Sequence, residues 1–455
     1  MIKAIIKLIK FIGGLIALAV VAFLIFIGGM YVVESSKDGV LSIFDYDIDT
    51  SIVQDIDFTE IKDNITESLN FDGLDGIFDS FSSSNCEYIT SGQIDALLIE
   101  IREEKDIEDS KALLDAMENG ENSLKEYYYN QSGGLLTVNT YMLSITLNDE
   151  TQYLIESGSL DETEVLIFLS ENLELSEYSS VSEADFDRNE DGYIDCLMVY
   201  SDIAFDEAEN AHVTNYSTWS KDYTIASGEE SLKFGSVMFL DDGQVKSDGE
   251  YICSLICHEF GHVLGFEDYY GTDKTDMYLG GFSLMAETLT TTPVEIGTYL
   301  KYTYTDWIGN LEIESITSDA DISFSSGEDK VYQIDLAEGV YLWIEQYDIS
   351  KDYQYMPDAS LEGGMLIFLI NENNAEYGNY DDNSEIQILH ATENPESWLE
   401  IIYETNGAVL SNEALSIDVE ALLSEAGEKN TSGIETITIE CENSTGTKGN
   451  VRIYQ

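Results

Sequence analysis

His258-Glu259-Phe260-Gly261-His262-Val263-Leu264-Gly265-Phe266-Glu267-Asp268 is the stretch on which the reading of this chain turns. Two histidines four residues apart on a helix share one face, one turn from each other, so both imidazoles reach one point in space. Neutral imidazole nitrogens at that spacing suit Zn2+. Glu259, next in sequence, is placed to take a proton from a water at such a metal and later to return it to a leaving amine. Gly265 stands where the helix should stop, because glycine accepts the left-handed geometry of a C-terminal cap. The chain can then double back and present Asp268. The stretch therefore predicts zinc held by His258, His262 and Asp268, with Glu259 as the catalytic base. Three protein ligands leave a fourth position open, which marks a catalytic rather than a structural zinc site. The helix is expected over residues 249–264. Its Ile252, Leu255, Ile256, Phe260, Val263 and Leu264 cover most of its circumference, so it should be a buried core helix. Downstream, Ser283-Leu284-Met285 suggests a tight turn whose methionine forms an apolar floor below the metal.

Upstream lies Asp187-Arg188-Asn189-Glu190-Asp191-Gly192-Tyr193-Ile194-Asp195. Oxygen-bearing side chains at every second position, then Gly and Ile, follow the grammar of a calcium loop. Asp187, Asn189, Asp191 and Asp195 would ligate Ca2+, with the Tyr193 carbonyl. The twelfth position is Met198, where an EF-hand has its bidentate glutamate, and the segment runs into a strand. It is thus no true EF-hand, and a modest affinity is expected. The same residues also read as an acidic turn in an acidic protein.

Together these segments resemble the immune inhibitor A family of extracellular bacterial zinc metallopeptidases. HEFGHVLGFEDYY is similar to that family's H-E-F-G-H-x-L-G-L-P-D-x-Y, and FDRNEDGYID to its Y-D-x-D-x-D-G-Y-V-D. YYYNQSGGLLTV (127–138), GFSLM (281–285) and the segment 292–309 with Pro293, Lys301 and Trp307 resemble the opening, the Met-turn and the close of its catalytic domain. Weaker likeness continues through Glu345 and Gly363-Gly364-Met365. The resemblance covers about residues 85–375. It implies an α+β, metzincin-like two-lobed peptidase domain, Zn2+, structural Ca2+, and endopeptidase action on protein or peptide substrates. The chain departs from the pattern at Glu267, where the family has proline. It departs again at Ala286-Glu287, where many metzincins carry a tyrosine. Tyr269, Tyr270 and Tyr278 are the remaining candidates to stabilise the oxyanion.

The chain has 455 residues, 20 basic and 89 acidic, for a net charge of −69. Phosphate binding needs clustered Lys and Arg, so nucleic acid is excluded as a partner. Such a surface is heavily solvated and self-repelling, and it attracts divalent cations. Cys86, Cys196, Cys253, Cys257 and Cys441 show no disulfide framework in their spacing. Lys3, Lys7 and Lys10 precede an uncharged apolar run over 11–33, long enough to span a bilayer. The reading is a cytoplasmic basic flank (1–10), a transmembrane signal anchor (11–33), an acidic stalk or propeptide-like linker (34–84), a catalytic domain (85–311) and a β-rich C-terminal domain (312–455). The basic flank places the N-terminus in the cytoplasm and the catalytic part outside the cell. If the segment is instead a cleaved signal, the protein is secreted.

One or two helices are expected over 94–117, helix over 162–173 and 413–426, and a turn over 127–134 leads into a strand over 135–147. Further strands are expected over 196–200, 331–336, 340–349, 365–371, 385–390, 434–440 and 451–454, the last six making a mainly antiparallel domain. The competing functional reading is a catalytically inactive, peptidase-like acidic surface protein for binding or adhesion. The intact His258, Glu259 and His262 speak against it.

Overall fold

The computed structural model describes residues 40–43, 46–49, 88–104, 106–120, 122–148, 151–156, 158–205, 211–215, 223–228, 230–247, 250–269, 279, 282–286, 293–325, 329–347, 364–374, 385–389, 414–445 and 448–454. The apolar run 11–33, most of 34–84 and Cys86 lie outside them; among the described residues no helix is long and apolar enough to cross a membrane. Two compact units are distinguished, Met1–Asn85 and Cys86–Gln455. The described part of the first is a hairpin in which Val40–Ile43 pairs antiparallel with Tyr46–Asp49.

The second unit is a mixed α and β fold with several sheets. Its first half is built on β1 (Gly92–Arg102), β2 (Leu136–Thr146), β3 (Leu197–Ser201), β4 (His212–Asn215) and β5 (Ser236–Asp241), in the spatial order β2-β1-β3-β5-β4. The first four in that order run parallel, and β4 closes one edge antiparallel to β5. The one or two helices expected over 94–117 are corrected here to a strand, Gly92–Arg102, and a single helix, α1, over Ile107–Glu118. Every residue from Ile94 to Arg102 is buried. A strand with parallel partners on both sides is covered on both faces, and its apolar run 96–99 is one that periodicity cannot tell from a buried helix. The alternation survives in what the side chains meet. Ile94, Ala96 and Leu98 join one core, and Leu97, Ile99 and Ile101 the other.

Local chemistry sets the helix starts. Asp106 precedes α1 and accepts from the backbone N–H groups of Glu108 at 3.0 Å and Asp109 at 3.1 Å, a cap worth about 1 kcal/mol. Helix α2 (Leu124–Gln131) is capped by Ser123, and Glu126 reaches back to the Asn122 N–H at 3.0 Å. The turn expected over 127–134 is therefore shorter than expected: residues up to Gln131 are helical, and the reversal belongs to Ser132–Gly134, with Gly133 and Gly134 at φ 62° and 85°. Tyr127 and Tyr128 pack inward from α2, beneath the sheet and beside the later histidine helix. Helix α3 (Glu162–Asn172) covers the opposite face through Val165, Leu166 and Leu169.

After helices α4 (Cys253–Val263) and α5 (Thr298–Tyr304) the chain becomes a β-sandwich. Strands β6 (Glu312–Ser315), β8 (Lys330–Ala337), β9 (Val340–Tyr347), β10 (Gly364–Asn371) and β11 (Ile386–Ile388) form one sheet in the order β6-β8-β9-β10-β11, and β7 (Ala320–Ser325), β14 (Lys448–Tyr454), β13 (Thr436–Thr445) and β12 (Ala414–Asp418) the other. All these pairings are antiparallel except β6 with β8. The helix expected over 413–426 is corrected to strand β12 followed by helix α6 (Val419–Glu425). Leu415 and Ile417 alternate inward as a strand requires, and Asp418 then caps the helix by accepting the Ala421 N–H at 3.0 Å. One face of the first sheet, with Ile334, Leu342, Ile344 and Ile367, packs on Ile417, Ile437, Ile439 and Ile453 of the second. Its other face, with Trp343, Phe368 and Ile370, joins the core that holds α4.

Candidate metal centre

Helix α4 buries Ser254, Ile256, Cys257, His258, Glu259, Phe260, Gly261 and Val263. His258 and Glu259 are only 2% and 4% exposed. Polar groups so deep are costly unless they find partners, and the histidines find them in backbone carbonyls. His258 Nδ1 lies 2.8 Å from the Leu284 carbonyl and His262 Nδ1 2.7 Å from the Phe266 carbonyl. A carbonyl only accepts, so each Nδ1 carries a hydrogen, and Nε2, which bears the lone pair whenever the ring is neutral, turns the other way.

Both Nε2 atoms meet Asp268. Its Oδ1 stands 3.0 Å from His258 Nε2 and 3.2 Å from His262 Nε2, and the rings are nearly perpendicular at 87°. That oxygen is buried and has no aligned hydrogen bond. Three acceptors facing one another repel unless a proton or a cation lies between them. Ligand atoms held at 2.0–2.1 Å by a tetrahedral metal stand roughly 3.3 Å apart, close to the spacing here. Among the described residues this is the one place where three ligand atoms of His, Cys, Asp or Glu come within 4.8 Å of one another. The donor set and the orphaned carboxylate oxygen thus fit a zinc ion.

The turn after α4 delivers Asp268. Gly265 adopts φ 92°, the Phe266 N–H returns to the Gly261 carbonyl at 3.0 Å, and the Gly265 N–H to the His262 carbonyl at 3.1 Å, the two bonds of a Schellman cap. Glu267 is exposed, and it is Asp268 that meets the histidines. Below the helix, the turn Ser283–Ala286 performs three tasks. Its Leu284 carbonyl orients His258, and its Met285 side chain lies against Gly261. The Met285 carbonyl also accepts the Tyr269 N–H at 2.8 Å, tying the turn to the loop that carries Asp268.

Charge follows from this packing. Burial opposes a charge on His262, but the Asp268 carboxylate overrides it and holds the imidazole up at about 9. Burial would raise Asp268 as well, yet the two imidazoles keep it well below the usual carboxylate range. Burial pushes Glu259 up to about 7, with Asp268 adding to the rise and His258, His262 and His212 opposing it. His212 went unread in the sequence, though it is one of only four histidines. It sits on edge strand β4, stacks on Phe239, and has its Nε2 3.3 Å from Glu162 Oε1.

Of the oxyanion candidates, Tyr269 is fully buried and aims its hydroxyl at Glu385, 3.4 Å away. Tyr270 and Tyr278 lie outside the described residues.

The acidic loop is spent largely on its own backbone. Asp187 accepts the N–H groups of Asp191 and Gly192, each at 2.9 Å, and Asp191 accepts that of Tyr193 at 2.8 Å. Asn189 bonds to the Asp191 carboxylate at 3.1 Å, and Asp195 Oδ2 accepts the Arg188 N–H at 3.2 Å. Asp195 Oδ1 is buried without a partner. Burial pushes this carboxyl up to about 7, and the charges of Asp187, Asp191 and Asp185 push the same way. Asp195 Oδ1 is the one loop oxygen left for a cation, and Asp187, Asp191 and Asp195 do not bring three carboxylate oxygens within 4.8 Å of one another. Arg188 pins the loop to the sheet through Asp95, at 2.7 Å.

No protein-family model and no curated protein matches this chain.

Proposed function

We propose that the chain is a zinc-dependent endopeptidase of metzincin-like type, acting on extracellular proteins. The observation that carries this reading is the meeting of His258 Nε2, His262 Nε2 and Asp268 Oδ1, each imidazole oriented by a backbone carbonyl. His258, His262 and Asp268 would hold zinc. When bound, zinc supplies Lewis-acid chemistry that polarises an amide carbonyl and makes water acidic near neutral pH. Glu259, buried next to His258, takes the proton of the attacking water and hands it to the leaving amine. A carboxyl whose surroundings raise its affinity for protons suits that relay. The buried floor of Met285 and Phe260 keeps bulk water from the back of the site. The sheet ends at β4, which packs on α4, and a sheet edge is where an extended peptide can add as a further strand.

The resemblance to the immune inhibitor A family supports the same reading, and so does the acidic loop as a calcium site. The apolar run 11–33 with its basic flank supports an anchored protein whose peptidase faces outward.

Two measurements test the proposal. Elemental analysis of the purified chain is expected to find about one zinc per molecule, and cleavage of a denatured protein should stop on chelation and return with added zinc. Zinc-free protein that takes up none on titration, or cleavage indifferent to chelator, overturns it. Calcium is expected to raise the melting temperature, with about 2.7 kcal/mol gained at a hundredfold excess over its dissociation constant. Asp195→Asn should remove that calcium response. An undiminished response in the variant would show that the ion does not sit on Asp195.

A further inference from the structure

We infer that Glu385 is a positioning residue for the metal centre, through which the β-sandwich sets the third ligand; the inference rests on the zinc reading above. The segment Phe266–Tyr269 carries both Asp268 and the carbonyl that orients His262. Whatever fixes this segment fixes two of the three ligands. Its start is held by Phe266, whose ring packs edge-on against Tyr304 with centroids 6.3 Å apart. Its end is held by Tyr269, fully buried, with its hydroxyl 3.4 Å from Glu385 Oε2. Tyr304 donates its hydroxyl to the same Oε2, and Tyr299 donates to Oε1 at 2.7 Å.

Glu385 itself belongs to the sandwich. It directly precedes β11, and its carbonyl accepts the Asn371 N–H of β10 at 2.7 Å. Three hydroxyls from the half that carries the histidines thus converge on one carboxylate, 3% exposed, from the other half. A buried carboxylate stripped of its donors is penalised by far more than one bond. A shift of the loop that withdrew Tyr269 would take from Glu385 one of its three donors, so the cluster resists the shift. At 3.4 Å the Tyr269 contact is long, which makes Tyr304, clamping Phe266 and Glu385 together, the stronger strut. Glu385 acts through these tyrosines and not by touching the metal.

The test uses the full chain and two readouts: zinc affinity by competition with a chromophoric chelator, and the visible spectrum of the Co2+-substituted protein. Removing groups that orient ligands typically weakens metal binding by roughly 10–100-fold. Glu385→Ala is expected to fall in that range and to alter the Co2+ bands. Glu385→Gln, which keeps an acceptor oxygen, should recover part of the loss. Tyr332→Phe loses a hydroxyl bonded to the Ser323 carbonyl inside the sandwich and should leave both readouts unchanged. Where Glu385→Ala fails to fold, Tyr304→Phe, which removes one hydroxyl, decides. Wild-type zinc affinity and spectrum in folded Glu385→Ala and Tyr304→Phe overturn the inference alone. A wild-type protein that binds no zinc overturns it together with the proposed function.

Discussion

Glu259→Gln is expected to lower kcat on a protein substrate by on the order of 10²- to 10⁴-fold, the usual share of a general acid–base group, while zinc content stays at the wild-type value. The amide nearly matches the carboxylate in shape, so the helix and its buried surroundings (Glu259 is 4% exposed) should hardly change. What disappears is the basic oxygen that receives a proton. Because neither substrate contacts nor zinc ligands are removed, KM should move little, and kcat and kcat/KM should fall together. Steady-state kinetics beside elemental analysis reads all three quantities. Turnover at the wild-type rate would mean that another group is the base. Loss of zinc would mean that Glu259 helps to hold the metal.

The second large effect concerns stability. Gly261→Val is expected to destabilise the fold by about 1–3 kcal/mol, the typical cost of overpacking a dense core, and to weaken zinc binding in the protein that remains folded. Helix propensity alone predicts the opposite sign, since glycine in a helix interior is worse than alanine by about 1 kcal/mol. Packing decides the sign. A Cβ at residue 261 would lie 2.6 Å from the Met285 sulfur and 3.3 Å from the Tyr128 hydroxyl. Met285 is fully buried and its turn presents the carbonyl that orients His258. Moving the methionine away therefore disturbs an imidazole one turn earlier. Denaturant melts of metal-free and zinc-loaded protein separate the two costs. A variant as stable as wild type in both states would show that the turn can yield freely.

The residues of the candidate metal centre were the easiest to read. The spacing of His258 and His262 needs only helical geometry, and the reversal to Asp268 needs only a glycine able to take φ 92°, as Gly265 does. Both signals are local. Gly261, inside the same motif, was unremarkable until Met285 was seen beneath it. β1 was misread because burial on both faces erases alternation, and β5, whose residues are all buried, was missed for the same reason. The run 413–426 looked uniformly helical, although Asp418 divides strand from helix. Glu385 gave no sign at all. One acid among 89 is distinguished only by three tyrosines that the fold brings to it.

The apolar face bearing Trp343, Phe368 and Ile370 belongs to the same continuous core as Phe260 and Met285. Heating should therefore give one calorimetric endotherm for everything after Asn85, not a separate melting event for each half. Amputating the chain near residue 312 would bare that face to water and invite precipitation. An inert truncated protein would then report on solubility and say nothing about catalysis.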